Sequence, residues 1–207
     1  MEKENTIQHN TKLKNLARAA IITIHFYYLG VQIKTYGICI QLLFFITNIS
    51  FYMNISYYIV TLLNNTLSKN KPIFTKSILN SWFRLAFTLS ISVIILYWGI
   101  YMKKPSLLGS ANTPFHMELF FHGGNLLVLI IDRLVLDRAN RDENRITAKF
   151  LFVFSIIYFV WLYFLYYTFG IAIYPLIAKL TFPQYLILGI VGYSLFVTGN
   201  TIYQFIM

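Results

Sequence analysis

LAFTLSISVIILYWGIYM, running from Leu85 to Met102, holds eighteen residues without one Asp, Glu, Lys, Arg or His. At about 1.5 Å per residue, a helix of that length spans ~27 Å, close to the ~30 Å hydrocarbon core of a bilayer. A helix on the surface of a water-soluble domain would show a charged face opposite its apolar stripe. Here only Thr88, Ser90 and Ser92 break the apolar run before the aromatic end at Tyr97 and Trp98. The stretch reads as a membrane helix.

Five further runs of similar character flank it, giving spans at about 16–31, 36–62, 85–102, 116–136, 148–169 and 184–207. The composition agrees. Of 207 residues, 57% are hydrophobic, 18% aromatic and 12% charged, whereas a globular domain is about 45–50% apolar and about 25% charged. A chain this small cannot hide so much apolar surface in one water-facing globule. The net charge of +10 sits in short segments between apolar runs, which suits loops facing anionic lipid and not nucleic acid. A single cysteine, Cys39, excludes an internal disulfide and a cysteine-only metal site. Soluble enzymes, disulfide scaffolds and disordered chains are ruled out, and an all-α multipass membrane bundle of about six spans in one domain is expected.

Lys12, Lys14 and Arg18 before the first run resemble a signal peptide, but Gln32-Ile33-Lys34-Thr35-Tyr36 offers no small-x-small cleavage pattern, so an uncleaved anchor is expected. Basic residues give the orientation. Lys3, Lys12, Lys14 and Arg18, then Lys69, Lys71, Lys76 and Arg84, then Arg133, Arg138, Arg141, Arg145 and Lys149 fall on one side; Lys34, Lys103, Lys104 and Lys179 fall on the other. Both termini are therefore expected in the cytoplasm, with Trp82 and Arg84 at headgroup level. The triplets at Asn48, Asn54 and Asn64 lie in a span or face the cytoplasm, so none is expected to carry sugar.

Ionisable groups within the bilayer are costly and mark interior faces or function. Glu118, His122, Asn125, Leu129 and Asp132 recur at spacings of four, three, four and three, which puts them on one helical face. Each polar member has two readings. Asn125 and His122 either serve chemistry or bond neighbouring helices, and Asp132 is free to pair with Arg133 or Arg138. His25 could join His122 and Glu118 around a metal, since two histidines and a carboxylate form a known ligand set, yet one sequence cannot bring them together. No metal or cofactor is expected. Thr47 and Asn48 are the next candidates, against the plain reading that a membrane threonine bonds the carbonyl one turn earlier. Gly189, Gly192 and Gly199 suit tight helix packing.

Thr35-Tyr36-Gly37 at the start of the second run, Trp98-x-Ile100-Tyr101, His122-Gly123, Tyr158-x-x-Trp161, Gly170 and Tyr174-Pro175 follow one another in an order that resembles the androgen-induced-gene family, with its androgen-dependent regulators of tissue factor pathway inhibitor. The resemblance covers roughly 35–175. It implies a six-helix intramembrane hydrolase that cleaves fatty acid esters of hydroxy fatty acids with a threonine nucleophile and a histidine. Carried across, the nucleophile position is Phe44 and the histidine position is Asn125, neither of which has the chemistry. Thr47 and His122 lie one turn away in opposite directions. Counting from the helix starts, Thr47 would sit about 17 Å deep and His122 about 9 Å. A working pair needs roughly 2.6–3.2 Å, so that mismatch argues against simple replacement. The fourth run also resembles rolling-stone-like membrane proteins through His122, Asn125 and Asp132.

Two functions are expected to compete: a lipid-ester hydrolase with a non-standard Thr47–His122 site, and a family member without catalysis that binds lipid or a protein partner. A transporter is weaker, since no duplicated half with broken helices is visible. The endoplasmic reticulum is the expected membrane and its lipids the expected partners, with no role for nucleic acid.

Overall fold

The computed structural model describes residues 2–37, 44–67, 72–108, 113–136 and 145–206. Among these every regular element is helical. The order is α1 (Glu2–Tyr36), α2 (Ile46–Leu67), α3 (Lys76–Tyr101), α4 (Phe115–Leu119), α5 (Asn125–Ile131), α6 (Arg145–Phe169) and α7 (Phe182–Ile206). α4 and α5 belong to one rod, joined by a π-helical turn at Phe120–Gly124 and continued by another at Asp132–Leu136.

Local chemistry sets the ends. The amide of Gly37 bonds the carbonyl of Ile33 at 2.8 Å, and Gly37 has φ of +75°. That is the left-handed cap a helix most easily makes with glycine. Thr35-Tyr36-Gly37 therefore closes the first helix; the expectation that it opens the second is corrected. α2 starts only at Ile46, ten residues later than the apolar run suggested. Gly170 caps α6 in the same way, with φ of +68° and a bond to Tyr166 O at 2.9 Å. Thr75 starts α3 by accepting the Ile78 amide, so this helix begins well before Leu85. α7 opens with a partial capping box, its Gln184 side chain accepting the Thr181 amide at 2.9 Å.

α3 is the central post. Of its apolar stretch 61% is buried, against 22% for α1 and 28% each for α6 and α7. Leu89 and Val93 of α3 pack with Leu151 and Leu162 of α6 and Phe196 of α7. Phe83 and Phe87 pack with Tyr57 of α2, Leu129 of α5 and Tyr203 of α7. A Cβ at Gly199 would lie 3.0 Å from the Thr88 carbonyl, so α3 and α7 approach nearly backbone to backbone. Phe152, Ile157, Val160, Ile187 and Ile190 are exposed along the outer faces of α6 and α7, where only acyl chains would cover them.

Among the described residues four helices, Thr11–Tyr36, Lys76–Tyr101, Lys149–Phe169 and Phe182–Ile206, are long and apolar enough to cross a membrane. α2 and the α4–α5 rod are not among them: polar residues interrupt the one, and π-turns divide the other into stretches of seven residues or fewer. Asn48, Ser50, Asn54 and Thr61 are buried on the one, and Glu118, His122, Asn125 and Asp132 on the other.

The end of the bundle where α1 begins is held by buried charge. Arg18 Nε donates to Asp132 Oδ1 at 2.9 Å and Tyr57 Oη to Asp132 Oδ2 at 2.8 Å. Asp132 thus takes a partner from α1 and not from Arg133. Arg133 instead donates to Tyr203 Oη at 3.1 Å, while residue 138 lies outside the described residues. Arg84, expected at the headgroups, is interior and donates to Asn200 Oδ1 at 2.6 Å.

Candidate functional site

At the opposite end of the bundle, where α1 and α3 finish and α2 and α4 start, the helices leave a cavity of about 390 Å³. Its far wall, from α3, α6 and α7, is apolar: Val93, Leu96, Leu162, Leu188 and Phe196. Its near wall carries Gln32, Thr47, Asn48, Tyr97, Glu118 and His122. A space of this size, mostly apolar with a few converging polar groups, is what a small-molecule or lipid site requires.

Thr47 Oγ1 stands 3.2 Å from His122 Nε2. The depth mismatch expected from residue counting does not arise. Counting began at Tyr36, but α2 begins at Ile46, which leaves Thr47 in its first turn beside the cavity.

The histidine is held on every side. Its Nδ1 lies 2.9 Å from the Glu118 carbonyl oxygen and 3.0 Å from Glu118 Oε2. Both oxygens only accept, so Nδ1 carries the proton, and in the neutral ring Nε2 offers its lone pair to the threonine hydroxyl. Tyr97 stacks on the imidazole with ring centres 3.4 Å apart and planes 11° from parallel. Trp98 Nε1 donates to the His122 carbonyl at 3.0 Å. The π-turn over Phe120–Gly124 surrounds His122 itself, and such turns are frequent at functional sites.

α2's first turn is bracketed by two tyrosines. Tyr158 Oη donates to the Phe44 carbonyl at 3.0 Å, and the Ile46 amide donates to Tyr174 Oη at 2.9 Å. Gln32 Nε2 donates to Asn48 Oδ1 at 2.8 Å, tying α1 to the residue after Thr47. At the mouth the hydroxyls of Tyr36 and Thr113 meet.

The two other candidate positions are placed elsewhere. Phe44 packs its ring against Trp161, centres 5.6 Å apart. Asn125 faces α1, its Oδ1 3.1 Å from His25 Nε2, while His25 Nδ1 is 2.8 Å from the Ile21 carbonyl. His25 is therefore engaged with Asn125 and does not join His122 and Glu118. Among the described residues no group of three or more His, Cys, Asp or Glu is placed to hold a metal. Of the stripe, Glu118 and His122 serve the cavity, Asn125 the α1 contact and Asp132 the ion pair. Gln32, Tyr97 and the tyrosine brackets escaped sequence reasoning. Tyr158 and Tyr174 were visible only as pattern positions with no stated task.

An all-helical bundle with membrane-length apolar helices and a semi-polar inner cavity is a multipass integral membrane protein. The FAR-17a/AIG1-like protein family model matches residues 12–205, nearly the whole chain, and the chain belongs to that family. No curated protein and no solved structure matches it.

Proposed function

We propose that this protein is an intramembrane lipid-ester hydrolase in which Thr47 is the nucleophile and His122 the general base. The observation that carries the reading is the 3.2 Å approach of Thr47 Oγ1 to His122 Nε2 in the wall of an apolar cavity. His122 removes the threonine proton as Oγ1 attacks the ester carbonyl, then returns it to the departing alcohol. Water, activated by the same nitrogen, releases the acid and restores Thr47. The resemblance in the sequence suggests fatty acid esters of hydroxy fatty acids as substrate, and the apolar far wall suits an acyl chain. Six spans with both termini cytoplasmic, in the endoplasmic reticulum, complete the reading. Protease access to an N-terminal tag in sealed microsomes tests the orientation, and a protected tag would overturn it.

A second reading is a lipid-binding member without catalysis. It is favoured by Phe44 and Asn125, which stand where the family pattern calls for the threonine and histidine. One experiment separates the two. Membranes bearing the wild type, Thr47→Ala and His122→Ala are treated with a fluorophosphonate probe. Labelling of the wild type that is lost in Thr47→Ala supports the hydrolase. A folded wild type that takes no label supports the lipid-binding reading.

A further inference from the structure

We propose that Glu118 is a positioning residue that holds His122 and offsets the imidazolium charge formed in the reaction, completing a Thr47–His122–Glu118 relay; this rests on the hydrolase reading above. The Glu118 backbone carbonyl, 2.9 Å from Nδ1, is enough by itself to fix the tautomer. What the side chain adds, at 3.0 Å from the same nitrogen, is negative charge. When Nε2 takes the threonine proton the ring becomes a cation, and an adjacent carboxylate favours that state.

The surroundings single this carboxylate out. Tyr97 of α3 stacks on the imidazole, Thr47 of α2 faces Nε2, and Tyr97 and Thr113 flank the Glu118 carboxylate. Tyr36 at the end of α1, Tyr158 of α6 and Tyr174 of the α6–α7 connection also line the cavity. Among the described lining residues, Glu118 is the only Asp, Glu, Lys or Arg. Carboxylates inside a membrane bundle are costly without a partner, and this one is spent on the histidine. The spacing of four residues brings the two side chains together along one helix, so the pair needs no help from neighbouring elements.

The test uses the full chain in lipid nanodiscs with p-nitrophenyl palmitate, comparing wild type, Thr47→Ala, Glu118→Gln and Glu118→Asp. Glu118→Gln keeps the size and loses the charge. Expected is a fall in kcat of about 10²–10⁴-fold with KM little changed. Glu118→Asp recovers part of the loss. Unchanged kcat in a folded Glu118→Gln would overturn the role of Glu118 while Thr47→Ala, still inactive, left the hydrolase standing. An inactive wild type, or a fully active Thr47→Ala, would overturn the hydrolase reading and with it the relay.

Discussion

Breaking the Arg18–Asp132 pair should destabilise the bundle far more than deleting both charges together. Asp132 is fully buried and Arg18 is 1% exposed, so neither can turn to water when its partner goes. Asp132→Asn leaves the Arg18 guanidinium facing a neutral amide and weakens the bond from Tyr57, 2.8 Å away. Removing one member of a buried pair costs about 3–5 kcal/mol, and a disturbed hydroxyl adds about 1 kcal/mol. For a chain of about this size, 1 kcal/mol moves the melting temperature by about 2–4 °C, so the shift should be on the order of 10 °C. Arg18→Met should cost a similar amount. The double variant Arg18→Met/Asp132→Leu removes both charges and refills the space with apolar volume, a change that is often neutral. It should therefore melt nearer the wild type than either single variant. The assay is loss of the monodisperse peak on size exclusion after heating the detergent-purified protein. If the two single shifts simply added in the double variant, the charges would not be coupled and the reasoning would be refuted.

Glycine positions give a graded set. Gly199→Ala should cost about 1–3 kcal/mol, since its Cβ would sit 3.0 Å from the immobile Thr88 carbonyl. Gly30→Ala, with nothing within 4 Å, should be neutral or gain up to about 1 kcal/mol from helix propensity; the same melting assay reads both, and equal losses would deny the close α3–α7 approach. Tyr174→Phe removes the acceptor of the Ile46 amide and should slow fluorophosphonate labelling of Thr47, with about 1–3 kcal/mol lost in stability. Labelling at the wild-type rate would mean that Tyr174 does not hold α2's first turn in place.

How much of this was legible beforehand depends on whether the deciding interaction is local. The Leu85–Met102 run states its environment in its own composition. The inward face of Glu118, His122, Asn125 and Asp132 follows from helical spacing, and all four are buried. Their partners do not follow from spacing. Arg18 and Asp132 are 114 positions apart, and His25 and Asn125 are 100. Helical periodicity says which way a side chain points and nothing about what it meets. The Thr47–His122 contact was obscured by one local error. The apolar stretch around Gly37 hid a helix end, although a glycine straight after Thr35-Tyr36 is the residue type that ends helices. Every depth counted from Tyr36 inherited that error.

The same physics explains how the two rods that build the site can carry polar inner faces. A helix facing acyl chains must be apolar around its outer surface, whereas one enclosed by neighbours can carry polar groups if each finds a partner. α2 and the α4–α5 rod meet that condition through Ser50–Ser90 at 3.0 Å, Asn54–Ser90 at 3.1 Å and Tyr57–Asp132 at 2.8 Å. Both rods therefore carry buried polar side chains between their neighbours. In this bundle those helices supply Thr47, Glu118 and His122. Polar groups on an enclosed face are thus compatible with a span, provided neighbouring helices meet them.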